Sequence, residues 1–327
     1  MPGVRIVGIG HYSPDNCISN DYLASIVDTS DEWIVKRTGI KTRNLSQGEG
    51  SSELGAKAAL NALKNSGCSP EEIDLIIVAT TTPDSFTPSS ACRIQGMLGC
   101  INAAAFDISA ACSGFLYSLI IANNFLKQGE RKKALLIGTE VLSRIVDWSD
   151  RNTCILFGDG AGAAVVEFSE EGNGIMKTCF GSDGSLGDQS LRAGRFKVVN
   201  PICKAEDSVE NNYITMDGKA IFKFAVSIIP KIVEELLEKS NLDISDIKYI
   251  VPHQSNLKII KSIANRLGTD IIDKMYINID KIGNTFCASI PIALDEMIKK
   301  GLLQTGDKVI LLGYGGGLNT ASILIEI

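Results

Sequence analysis

Histidine is scarce in this chain. Its 327 residues contain two, His11 and His253, so any imidazole chemistry has only these candidates. CxxC pairs are absent. The nine cysteines (17, 68, 92, 100, 112, 154, 179, 203 and 287) are odd in number, irregular in spacing and mostly flanked by apolar residues. A disulfide framework is not expected in a chain this long, and a zinc site has no spacing in its favour. A basic excess is also lacking: 32 Lys and Arg stand against 38 Asp and Glu, a net charge of −6. No global field calls for nucleic acid, and an acidic partner would need a local basic patch. No apolar run reaches the ~18 residues of a membrane span. The opening "MPGVRIVGIGHYSPDN" lacks a signal peptide's long apolar core and reads as a first strand, so no membrane and a cytoplasmic location are expected.

What is present is an ordinary globular composition, 45% apolar and 21% charged, with enough length for two domains or one domain of two halves. β-rich apolar runs alternate with helical patterns, which indicates α/β architecture. Residues 4–9, 75–80, 104–108, 134–137 and 160–168 read as strands, and 53–66 and 112–127 as helices. The second half repeats this order. "NSGCSPEEIDLIIVATTTPD" (65–84) parallels "KSNLDISDIKYIVPHQSN" (239–256), each a helix end, an acidic turn, a buried strand and a polar loop. "KKALLIGTE" (132–140) parallels "DKVILLGYGGG" (307–317), each a buried strand ending at a glycine. These parallels predict an internal duplication, residues 1–170 and 171–327, whose two sheets pack face to face. A polar, Gly-rich insert at 169–213 is expected to be loop-rich and exposed.

Ligands in α/β proteins gather at the carboxyl ends of strands. Cys112, His253 and the glycines at 313–317 each follow a predicted strand, and Asn284 follows the short run 275–279. Cys112 opens "CSGFLYSLIIANNFLKQG", a helix apolar on nearly every face and therefore buried. A thiol at that helix's positive end is either a packed small hydrophobe or a nucleophile whose thiolate the dipole favours. His253 is either a satisfied histidine or a proton-transfer or donor group at a strand end. Asn284, in "IGNTFCASIPIAL", is either a turn asparagine or an oxyanion donor. The glycines of "GYGGGLNTAS" and "FGDGAGAAVV" lack phosphate-loop spacing and suit close backbone approach to an oxyanion.

These segments together resemble β-ketoacyl-acyl carrier protein synthase III of the thiolase-like superfamily. The likeness spans nearly the whole chain and includes "TSDEWIVKRTGIKTR", "AACSGFLYSL", "DRNTCILFGDGAGAAVVEF", "MDGKAIFKFAV", "HQSNLKII" and "GNTFCASIPIALDE". The resemblance implies a duplicated thiolase-like fold, two α/β halves layered αβαβα, the first carrying the cysteine and the second the histidine and asparagine. It implies a decarboxylative condensation of an acyl-CoA primer with malonyl-acyl carrier protein, which initiates type II fatty acid synthesis without a cofactor or metal. Cys112 would carry the acyl group. His253 and Asn284 would donate to the malonyl thioester oxygen, His253 as the neutral imidazole. The N–H groups of Cys112 and Gly316 would form the oxyanion hole. Trp33 and Arg151 would clasp the CoA adenine with Arg37 near its phosphates, and Met216, Gly218, Phe222 and Asn256 would line the pantetheine channel. Lys223, Lys258, Lys261 and Arg266 would meet the acidic carrier protein, and a homodimer is implied.

The chain departs from the family pattern at Phe286 and Cys287, where Ser or Ala is frequent, and at Ser255, where Ala is common, so pocket volume is open to change. Thr87 corresponds to a position through which the partner subunit borders the acyl pocket, and a small residue there would admit longer or branched primers. Three other readings remain: a priming or acyl-transferring synthase of secondary metabolism with the same triad, a thiolase using Cys287 as second cysteine, and a non-catalytic acyl-CoA-binding protein.

Overall fold

The computed structural model describes residues 3–170, 173–194, 201–202 and 212–327, so Cys203 and most of the 195–211 stretch lie outside the described residues. The elements that frame the site are, in chain order, β1 (Gly3–Tyr12), α1 (Asp31–Thr38), α2 (Ser51–Ser66), β2 (Leu75–Ala79), α3 (Ser90–Leu98), β3 (Ala104–Ile108), α4 (Gly114–Lys127), β4 (Lys133–Glu140) and β5 (Gly160–Ser169). They continue with β6 (Gly174–Ser182), α5 (Gly218–Ser240), β7 (Tyr249–Pro252), α6 (Leu257–Leu267), α7 (Ser289–Lys299), β8 (Lys308–Gly315) and β9 (Asn319–Glu326).

The first sheet has the order β1-β5-β4-β2-β3, and the second β6-β9-β8-β7. Strand senses repeat as well: β1, β5 and β4 pair antiparallel and β4, β2 and β3 parallel, while β6, β9 and β8 pair antiparallel and β8 and β7 parallel. A single parallel bridge, Ile250 to Met275, stands where a fifth strand would complete the match. The short run 275–279 supplies only this bridge and passes into a helical turn, Ile279–Ile282.

Side-chain alternation along buried strands sorts the layers. Leu75 and Ile77 of β2 face one core with Leu136, Val166, Val309, Leu311 and Ile323, and that core contains Phe115, Leu116 and Leu119 of α4 and Ile290, Leu294 and Met297 of α7. Ile76 and Val78 face the opposite side, against Leu54, Ala58, Ala62 and Ile94 of α2 and α3. Ile310, Leu312 and Leu324 meet Ala225, Ile229, Ile260 and Ile263 of α5 and α6. The molecule is therefore layered αβαβα. Two central helices separate the sheets, which corrects the expectation of direct face-to-face packing.

The segment expected as exposed loop contains β6, nine residues that pair with β9 from Asn319↔Ser182 to Glu326↔Gly174. As an edge strand it tolerates polar residues such as Lys177 and Thr178, which hid it among loop signals.

Candidate active site

Cys112 sits in one 3-10 turn, Ala111–Ser113, directly before α4. Ala111 holds φ +44°, a left-handed conformation that costs a non-glycine residue energy and turns the chain sharply from strand into helix. The sulfur is buried and faces the end of β8. A Cβ on Gly315 would lie 2.6 Å from Cys112 Sγ, so a glycine there makes room for the thiol. The backbone N–H groups of Gly316 and of Cys112 itself point at the sulfur and pull its pKa down. They are outweighed. Burial, and then the Glu140 carboxylate, push the thiol up to about 12. The helix end therefore does not yield a resting thiolate, as charge at a helix terminus had suggested, because desolvation is the larger effect.

His253 follows β7 and is 1% exposed. Its backbone N–H donates to Leu312 O at 2.7 Å. Ring Nδ1 lies 2.8 Å from Ser289 Oγ, and that oxygen accepts Gln254 N–H at 3.4 Å. A Ser289 hydroxyl that donates to Nδ1 would leave the imidazole's own proton on Nε2. Nε2 is buried and has no hydrogen-bond partner in the protein. Burial alone lowers the ring's pKa to about 3, so His253 is neutral.

Asn284 is fixed through its backbone: its N–H donates to Leu156 O at 2.9 Å and its carbonyl accepts Gly158 N–H at 3.1 Å. Its Oδ1 accepts the N–H of Phe286 at 3.0 Å, leaving the NH2 end of the carboxamide free. Cys112, His253 and Asn284 line one cavity of ≈ 80 Å³ together with Met216, Gly218 and Asn256. Its chemistry is legible from the parts. It holds a nucleophile, two neutral donors and two backbone N–H groups at the sulfur, the set that acyl transfer and enolate formation need.

The remaining expected residues sit further out. Phe222 is partly exposed and is not among the residues lining that cavity. Trp33 lies on α1, and its ring has Arg37 4.7 Å and Arg151 5.1 Å from its centroid. Arg151 also donates to Asp28 O at 3.0 Å. The two guanidinium groups occupy the ring where a base would stack. Lys223 on α5 and Lys258, Lys261 and Arg266 on α6 are all exposed, and Arg266 donates to Val226 O at 3.1 Å, tying it to α5. Ile221 and Ile259 of the same two helices line the cavity, while none of the four cations does. Thr87 is exposed and does not reach the Cys112 cavity within the chain.

Ser289, Leu191 and Tyr314, whose hydroxyl meets Ser255 Oγ at 2.9 Å, carried no sequence signal of their own, whereas Phe286 stood out only as a departure from the family pattern. Gly315 lay inside the glycine run already singled out. Among the described residues no group of three or more His, Cys, Asp or Glu could hold a metal ion, and no helix is long and apolar enough to cross a membrane.

Comparison with known proteins agrees with the geometry. The family described as 3-oxoacyl-[acyl-carrier-protein (ACP)] synthase III matches residues 106–184, and its C-terminal counterpart matches residues 237–327. A relative from Clostridium tetani, a beta-ketoacyl-[acyl-carrier-protein] synthase III, is 54% identical over 99% of this chain and 98% of its own. The crystal structure of a 3-oxoacyl-[acyl-carrier-protein] synthase III from Aquifex aeolicus VF5 is 44% identical, with a TM-score of 0.91 over 99% of this chain and 100% of that one. The priming beta-ketosynthase of the R1128 polyketide pathway is 34% identical, with a TM-score of 0.92 over 99% and 96%.

Proposed function

This chain belongs to the 3-oxoacyl-[acyl-carrier-protein] synthase III family, and from that premise we propose how its own residues perform the condensation that initiates fatty acid synthesis. It is an acyltransferase. Cys112 attacks the thioester carbonyl of an acyl-CoA, the carbon–sulfur bond to CoA breaks, and the thiol proton leaves with CoA. Malonyl-acyl carrier protein then enters. Its carboxyl leaves as CO2, and the bonding electron pair becomes an enolate whose oxygen takes hydrogen bonds from His253 Nε2–H and the Asn284 amide. The carbanion attacks the acyl-cysteine carbonyl, the carbon–sulfur bond to Cys112 breaks, the sulfur takes up a proton from water to restore the thiol, and the 3-oxoacyl thioester leaves on the carrier protein.

The observation that carries this reading is the neutral, partner-free Nε2 of His253 in the same cavity as the sulfur. A cationic imidazole would have to lose its proton on each turnover, whereas a neutral donor need not. The electron pair comes from the substrate's own carbon–carbon bond, so the step calls on no cofactor. The N–H groups of Cys112 and Gly316, already directed at the sulfur, hold the tetrahedral oxyanion.

Trp33, Arg37 and Arg151 form the mouth that takes the CoA nucleotide, with one guanidinium moving off the indole to admit the base. Met216, Gly218 and Asn256, with Phe222 at the outer end, guide the pantetheine. Lys223, Lys258, Lys261 and Arg266 attract the acidic carrier protein to the rim. The chain works in the cytoplasm as a homodimer, and Thr87 of one subunit borders the acyl site of the other. An acyl-CoA sensor is disfavoured, since a binding protein has no use for three reacting groups in one cavity. Cys287 does not line the cavity and its thiol donates to Glu140, which speaks against the thiolase reading.

Incubation with acetyl-CoA tests the assignment. CoA release with an acetyl mass gain on Cys112, absent in Cys112→Ala, is expected. CoA release without a protein adduct would refute it.

A further inference from the structure

Two side chains, Leu191 and Phe286, line both the ≈ 80 Å³ cavity around Cys112 and a second, larger cleft of ≈ 720 Å³. The larger cleft is bounded by Thr80, Pro83, Phe86, Ile108 and Ile145. Phe286 and Leu191 are therefore the wall between the two spaces. Phe286 is 1% exposed, and its ring meets Phe157 edge-on with centroids 5.4 Å apart. Its backbone is held at φ +45°, and its N–H is bonded to Asn284 Oδ1 at 3.0 Å. Burial and the edge-on contact with Phe157 hold the ring in the wall.

Resting on the reading that Cys112 carries the acyl group, we propose that Phe286 sets primer length in this enzyme. It closes the acyl site toward the ≈ 720 Å³ cleft and restricts loading to short acyl groups. Removing the ring joins the two spaces. Each methylene that the cleft takes up then gains roughly fourfold in kcat/KM from apolar burial.

The test is acylation of Cys112 by acetyl-, butyryl-, hexanoyl- and octanoyl-CoA, followed by CoA release and intact mass. Wild type should load acetyl and butyryl groups and discriminate against octanoyl by ~100-fold or more, the product of several lost methylene contacts. Phe286→Ala should raise the octanoyl-to-acetyl ratio of kcat/KM by a similar factor, with Phe286→Leu intermediate. Leu191→Ala opens the same wall from its other side and decides the matter if Phe286→Ala does not fold. An unchanged length profile in the folded variants, or wild type loading octanoyl as fast as acetyl, overturns the proposal while leaving Cys112 as the nucleophile. Failure of all four to acylate wild type takes down the Cys112 reading and the wall's role together.

Discussion

Acid should unfold this protein partly through one residue. His253 is buried and neutral, with its pKa lowered from 6.5 to about 3 by desolvation. Below pH 6.5 the unfolded chain binds a proton at this site that the folded chain refuses until about pH 3. Unfolding then takes up protons, so the contribution is present above 6.5 and is lost progressively as pH falls through the window down to about 3. At ~1.36 kcal/mol per unit, lowering the pH from neutral to about 4.5 costs roughly 2.5 kcal/mol. Per-residue unfolding entropies scale to roughly 0.7 kcal/mol per kelvin for 327 residues, which makes this about 4 °C in Tm. Carboxylates titrate in the same range, so the quantity to measure is the difference between wild type and His253→Gln. Thermal or urea unfolding at both pH values should show wild type losing about 4 °C more than the variant. Equal losses would mean that the imidazole is charged or hydrated in the folded protein, and the neutral-donor account would fail with it.

Three further outcomes follow from the same geometry. Asn284→Ala should slow condensation by ~10²–10³-fold while leaving acylation by acetyl-CoA within about tenfold, since its amide acts on the enolate oxygen; equal loss in both half-reactions would contradict this. Gly315→Ala places a Cβ 2.6 Å from Cys112 Sγ in backbone that is already extended, so the sulfur must shift and acylation should fall by ~10²-fold without large loss of Tm. With its thiol pushed up to about 12, Cys112 in the free enzyme should react with iodoacetamide at a rate rising about tenfold per pH unit through pH 9, and a plateau near pH 8 would show a thiolate instead.

How far the sequence could be read depended on whether burial left a one-dimensional trace. β2 is "LIIVA", five buried residues in a row, and α4 is apolar on nearly every face, so both were visible as interior elements. β6 faces solvent along part of its length, and its buried positions do not alternate cleanly, so it looked like loop. The Met275 bridge is too short to leave a period. At the site, strand-end position picked out Cys112, His253 and the glycine run. Ser289 was invisible because a serine at the start of a helix is commonplace; only the fold brings its hydroxyl to His253 Nδ1. The thiol's ionisation was misjudged because a helix terminus can be read from sequence, whereas the depth of burial that overrides it cannot.

Duplication also bears on why, of the two elbows, only the one at Cys112 is proposed as the nucleophile. Ala111 at φ +44° precedes Cys112, and Phe286 at φ +45° precedes Cys287; each pair opens a single 3-10 turn and then a central helix. The difference lies across from each thiol. Opposite Cys112, β8 ends in Gly315, which leaves space. Opposite Cys287, the equivalent strand β4 ends in Glu140, whose carboxyl accepts from the Cys287 thiol at 3.2 Å and from the hydroxyls of Thr81 and Thr82 at 3.0 and 2.6 Å. The Cys287 thiol also lies 3.1 Å from Ala79 O. A packed carboxyl thus fills the position that Gly315 leaves open in the other half, and burial with Glu140 raises the Cys287 pKa well above that of an ordinary thiol. Cys287→Ala should therefore cost about 1 kcal/mol of stability through a weak hydrogen bond and a small void, and leave one acyl group per chain on Cys112. A second acyl group on Cys287 in the wild type, or loss of loading in Cys287→Ala, would show that both elbows are reactive and that Glu140 does not silence the second.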